Sequence, residues 1–154
     1  MGHPDLALRA AVTACRADPG LTSYRRVREL SSEAWPERRA ELLDHLRRNV
    51  PYYPRGHLEV FLQEGLIQDA IDTVEQSPVE ALLEQVTEAA VESQPSWVIE
   101  TSRAQAEEIM DSGSSGHYDE AVRWLAKARE PRRALKRLQS YIVCPPDIAL
   151  PPAV

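Results

Sequence analysis

Residues 79–90 read VEALLEQVTEAA. Val79, Leu82, Leu83, Val86, Ala89 and Ala90 fall at the i, i+3, i+4, i+7 spacing of one helix face, with no misses. A strand would alternate apolar and polar residues instead. Between the apolar positions, Glu80, Glu84, Glu88 and Glu92 step by four, so one helix carries an apolar stripe and an acidic one.

Outward from this stretch the same period persists. Toward the N-terminus, LALRAAVTAC (6–15) is rich in Ala and Leu and is stopped by Asp18-Pro19-Gly20. Leu21, Tyr24, Val27 and Leu30 recur every three residues. Ser31 and Ser32 are suited to cap the next helix, and Pro36 to its first turn, where a missing amide proton costs nothing. Leu42, Leu43 and Leu46 form that helix's stripe, with Trp35 at its start. Pro51-Tyr52-Tyr53-Pro54 interrupts the chain, and a short helix from about His57 to Glu64 presents Leu58, Phe61 and Leu62. Ala70, Ile71 and Val74 give the next apolar face, ended at Ser77-Pro78.

Toward the C-terminus, Pro95-Ser96 introduces a helix holding Trp97, Val98, Ile109 and Met110, and the loop from Asp111 to Gly116 breaks it. Tyr118, Ala121, Val122, Leu125 and Ala128 read as one further stripe, closed at Pro131. A separate short basic helix over about 132–141 is expected next, then an irregular Pro-rich tail over 142–154. The expected fold is therefore all-α: antiparallel helical hairpins stacked as a short right-handed tetratricopeptide-like solenoid, one domain over 1–141.

Two stretches match. Gly65, Ile67, Asp69, Ala70, Ile71 and Val74 parallel Gly116, Tyr118, Glu120, Ala121, Val122 and Leu125. Glycine permits the tight turn at a helix C-terminus, and alanine lets two helices approach closely. The offset of 51 residues is long for a tetratricopeptide unit and suits longer helical repeats.

The stretches Phe61–Ile71, Pro95-Ser-Trp97-Val-Ile99, Ala106–Met110 and Tyr118–Arg129 resemble the C-terminal helical region of bacterial SWIM zinc-finger proteins. The resemblance runs from about residue 38 to 130. In that family a Cys-x-Cys and a later Cys-x-His motif precede a tetratricopeptide-like helical region, and the zinc element is associated with DNA or protein binding. This chain has neither motif, so the resemblance carries over the helical part alone, with no zinc and no catalytic residue. After Glu130 the chain also departs from the family, giving PRRALKRLQSYIVCPPDIALPPAV where further helices and a basic stretch are expected.

Composition narrows the function classes. No apolar run approaches the ~20 residues of a membrane helix, and MGHPDLALRAAV is not built like a secretory signal, so a cytoplasmic protein is expected. Cys15 and Cys144 cannot make a disulfide framework. Residues 61–120 hold fourteen acids against Arg103 alone, a net of −13, while 121–154 hold seven Arg and Lys against two acids. The acidic centre opposes phosphate backbones, which are held through Lys and Arg. A compact basic patch at Arg132, Arg133, Lys136 and Arg137, within the basic segment 123–137, leaves a nucleic-acid accessory role as an alternative.

Candidate chemistry is sparse. His3, His45, His57 and His117 have no second His or Cys three or four residues away, so no metal and no cofactor is expected. Arg39 and His45 on one Arg-rich helix resemble the Arg-and-His pair of HEPN ribonucleases, the enzymatic alternative. The reading preferred from sequence is a non-catalytic interaction module with candidate partner-binding residues Glu80, Glu84, Glu88 and Glu92 for a basic protein, and Arg132, Arg133, Lys136 and Arg137 for the acidic middle of this chain or of another copy in a homodimer.

Overall fold

The computed structural model describes residues 3–77, 79–113 and 115–143, the last of these without side chains at 130–135 and 137–143. The described residues are helical, with turns and loops between the helices and no strand. In chain order the helices are α1 (Pro4–Ala17), α2 (Leu21–Ser31), α3 (Trp35–Arg48), α4 (Arg55–Gln63), α5 (Ile67–Glu75), α6 (Glu80–Ala90), α7 (Pro95–Asp111) and α8 (Tyr118–Val143). An all-α fold is thus what the periodicity indicated. Close packing groups the residues into two compact units, Met1–Val86 and Thr87–Val154, with the boundary inside α6.

In the first unit the core is assembled from α1 to α5. Cys15 of α1, Tyr24 and Val27 of α2, Leu42, Leu43 and Leu46 of α3, and Leu58, Val60 and Phe61 of α4 are all buried. From α5 come Ala70, Ile71, Thr73 and Val74. Tyr24 meets Trp35 edge to face at 5.2 Å between ring centroids, and the Arg28 guanidinium lies 5.9 Å from the Trp35 ring. The connection between α1 and α2 is held tightly: a Cβ on Gly56, in the first turn of α4, would sit 1.6 Å from the Pro19 carbonyl oxygen. Only glycine allows the two backbones to meet there.

Two ion pairs tie α3 to the next hairpin. Arg47 grips Asp69 of α5 in two parallel bonds, Nε to Oδ1 and Nη2 to Oδ2, each 2.7 Å. Arg39 Nε meets Glu64 at 2.6 Å. That bond holds the Arg39 guanidinium even more firmly charged than usual. Tyr24 is pushed far above the ordinary tyrosine range by burial first and by the Glu64 carboxylate second.

The start of α3 differs from the expected capping. The N-cap position is Ala34 and makes no side-chain bond, although Pro36 does occupy the first turn. The Ser31 hydroxyl instead donates to the Val27 carbonyl at 2.7 Å, one turn back in α2. Ser32 takes a left-handed φ of 45°, which reverses the chain before a single 3-10 turn leads into α3. The Ser31 side chain thus turns back to its own helix and makes no cap bond to the turn that follows.

In the second unit α7 packs against α8. Val98, Ser102 and Ala106 on α7, and Ala121, Trp124 and Ala128 on α8, are the buried faces. Small residues on both sides let the two helix backbones lie close.

Two expectations for α8 are corrected. The helix runs unbroken to Val143, so Pro131 does not close it and there is no separate helix over 132–141. Proline's fixed φ is itself helical; it removes one bond, and the Ala, Leu, Arg and Lys around it sustain the helix. The expected tail loses its first two residues to α8, and 144–154 lie outside the described residues. The inward face is also rotated. Ala121 and Ala128 point inward as expected, but Tyr118, Val122 and Leu125 are 62%, 62% and 44% exposed, and Trp124 takes the buried position. The buried line is Ala121, Trp124 and Ala128, the large indole seated between two small residues.

Candidate functional site

The acidic stripe is real on the helix but not free of the fold. Glu80, Glu84 and Glu88 lie on α6, and Glu92 lies in the turn that follows. Glu80, Glu88 and Glu92 are exposed, and Glu84 is half-buried. Glu88 receives Lys127 of α8 at 3.0 Å, and the same ammonium lies 5.0 Å from the Trp124 ring. Lys127 therefore bridges an acidic helix and the aromatic core of its own. The basic part of the chain does meet the acidic part, through Lys127. Of the basic cluster at 132–137, Lys136 is exposed, and the side chains of Arg132, Arg133 and Arg137 lie outside the described residues.

The outer face of α8 was not anticipated. Tyr118, Val122 and Leu125 follow one another at i, i+4, i+7, and exposed Arg129 and Lys136 continue the row at i+11 and i+18. At about 100° per residue these five fall within an arc of about 60°. One face is thus apolar over its first two turns and cationic beyond.

A cleft lies in the first unit. It encloses about 520 Å³ and is bounded by Arg16, His45, Tyr53, Arg55, His57 and Glu59 among others. His57 is buried, and its Nε2 donates to the Asn49 carbonyl at 2.8 Å. Burial, partly offset by that bond, holds His57 below the ordinary histidine range. Arg55 is committed to Glu59 at 3.1 Å. Arg39 is held by Glu64, and His45 lines the cleft.

His117 pairs with Glu120 at 3.0 Å. Among the described residues no group of three His, Cys, Asp or Glu is arranged to hold a metal ion. Cys15 is buried, and burial pushes its thiol up, away from the reactive thiolate. No described helix is long and apolar enough to cross a membrane. No family model, curated protein or solved structure matches the chain.

The sequence reading passes over Lys127; it counts Trp124 among the large aromatics read mostly as core, and His57 among the histidines without a ligand partner. Trp124 had a signal, since it lies three residues after Ala121 and four before Ala128. His57 had a weaker one, beside Leu58 at the start of an apolar run.

Proposed function

We propose that the chain is a non-catalytic helical interaction module of the cytoplasm, its hairpins stacked in the manner of a short right-handed tetratricopeptide-like solenoid and akin to the helical region of SWIM zinc-finger proteins. The observation that carries this reading is the outer face of α8. Tyr118, Val122 and Leu125 stand in solvent as one row, although buried positions on the same helix are occupied by alanine. A row of large apolar residues at helical spacing, followed on the same face by Arg129 and Lys136, suits a protein surface with an apolar centre and carboxylates beside it. The acidic residues of α6 contribute less to this reading, because Glu88 is already engaged by Lys127.

Capture by the immobilised full chain tests the module. A partner retained by the parent and lost with Val122→Asp supports the reading; capture indifferent to Val122→Asp and to Leu125→Asp sinks it. Both positions are exposed, so the variants are expected to melt like the parent.

A further inference from the structure

Along α8 and its approach the charge is acidic at one end and basic at the other, with exposed Arg123 between them. Glu107, Glu108 and Asp111 close α7, a short loop follows, and Asp119 lies in the first turn of α8; all four are exposed. At the other end stand exposed Arg129 and Lys136, with Arg132, Arg133 and Arg137 beside them in sequence. Between the two ends lie Val122 and Leu125, on the same face as Arg129 and Lys136. The row itself has an apolar part and a basic end, and Asp119, about 100° round the helix from Tyr118, sets an acid on its flank, so two copies turned through half a circle bring base beside acid.

We propose that the outer face of α8 pairs antiparallel with the same face of a second copy of this chain. The proposal rests on the binding reading above and names the occupant of that face. With Val122 and Leu125 of each copy at the two-fold axis, Arg129 lies opposite the partner copy's first turn, within reach of its Tyr118 ring and Asp119 carboxylate. Lys136 lies beyond it, past the first turn of the partner copy's α8. A parallel pairing would set acid against acid and base against base, so charge selects the antiparallel register.

The face from Tyr118 to Lys136 is about 27 Å long at 1.5 Å per residue. One helix face of that length falls short of the ~800 Å² per partner of a standard stable interface. The dimer is therefore weak, concentration-dependent and sensitive to salt, because its flanking charges stay near solvent.

Sedimentation equilibrium of the full chain, from low micromolar to near-millimolar concentration, tests this at low and at high salt. Expected is a monomer–dimer equilibrium that high salt shifts toward monomer. Leu125→Glu abolishes the dimer while the thermal melt stays that of the parent monomer. Arg129→Glu weakens association about tenfold, and adding Asp119→Arg to it restores most of the loss, because the swapped charges face each other again. A chain that stays monomeric throughout overturns the proposal. So does a dimer indifferent to Leu125→Glu and to Tyr118→Ala. In the first case the binding reading survives if Val122→Asp still releases a captured partner of another kind, and falls with the proposal if it does not.

Discussion

The hairpins α4–α5 and α7–α8 share a sequence pattern and use it differently. Ile67 and Tyr118 each open a second helix, and Ala70 and Ala121 are each buried three residues later. From there they part. In α5, Ile71 and Val74 are buried together with Thr73, so a wide arc of the helix faces protein. In α8 the matching Val122 and Leu125 face solvent, and the buried arc is the narrow line Ala121, Trp124, Ala128. The cause lies in the neighbours. Helix α5 packs on α4 and is gripped by Arg47 of α3, whereas α8 packs chiefly on α7. The same apolar letters are core where protein lies on two sides, and surface where it lies on one.

The sharpest way to break this contrast is to place a charge at the matching positions. Ile71→Asp buries an unpaired carboxylate and should lower stability by about 4 kcal/mol or unfold the chain, whereas Val122→Asp should leave the denaturation midpoint near that of the parent. Equal losses at both positions, at a concentration where the chain is monomeric, would mean that Val122 is covered by its own fold. Removing methyl groups gives a gentler version. Val74→Ala should cost about 2 kcal/mol and Leu125→Ala close to nothing in urea unfolding at low protein concentration.

The glycines sharpen the contrast further. The sequence match pairs Gly65 with Gly116, but Gly65 has φ +71° and its conformational counterpart is Gly113 at φ +69°. Gly65→Ala and Gly113→Ala should each cost about 1–2 kcal/mol from the left-handed backbone alone, since neither Cβ would touch anything. Gly116→Ala, without a left-handed φ and with open space around its Cβ, should be near neutral. Comparable losses at 65 and 116 would restore the original pairing.

The smallest expected effect separates the regions by pH. His57 takes up a proton less readily in the fold than in the unfolded chain, mainly through burial. The unfolded state therefore binds more protons as pH falls through about 6.5, and stability is lost in that direction and full above it. A His57→Gln variant should show a flatter melting temperature over that window than the parent. A parent with no slope there would mean that the fold does not resist charging His57.

Much of the helical layout was legible because its stripes are clean. Leu42, Leu43 and Leu46 are buried as their spacing indicates, and so are Leu82, Val86 and Ala90. On α8 two stripes compete, and periodicity alone does not rank Trp124 with two alanines against Tyr118, Val122 and Leu125. Pro131 was misleading because its composition rule concerns the bond it removes, while the dihedral it fixes is compatible with the helix. The contacts that matter most at the candidate surfaces join distant positions. Lys127 meets Glu88, and His57 meets the backbone of Asn49 across a loop; neither pairing leaves a periodic trace. The acidic and basic runs were visible as charge, but which lysine crosses between them was not.

The close approach of Gly56 to Pro19 bears on how such a chain drifts over generations. A leucine in the core can become isoleucine or methionine if its neighbours adjust, because side chains can be traded against one another. At position 56 the obstacle is a main-chain oxygen, which every amino acid carries and no exchange elsewhere can shrink. Position 56 thus has one tolerated occupant for as long as the turn between α1 and α2 rests where it does. Distant kin of this chain, their stripes rewritten beyond recognition, would still be betrayed by a lone glycine one residue into a helix that follows a proline.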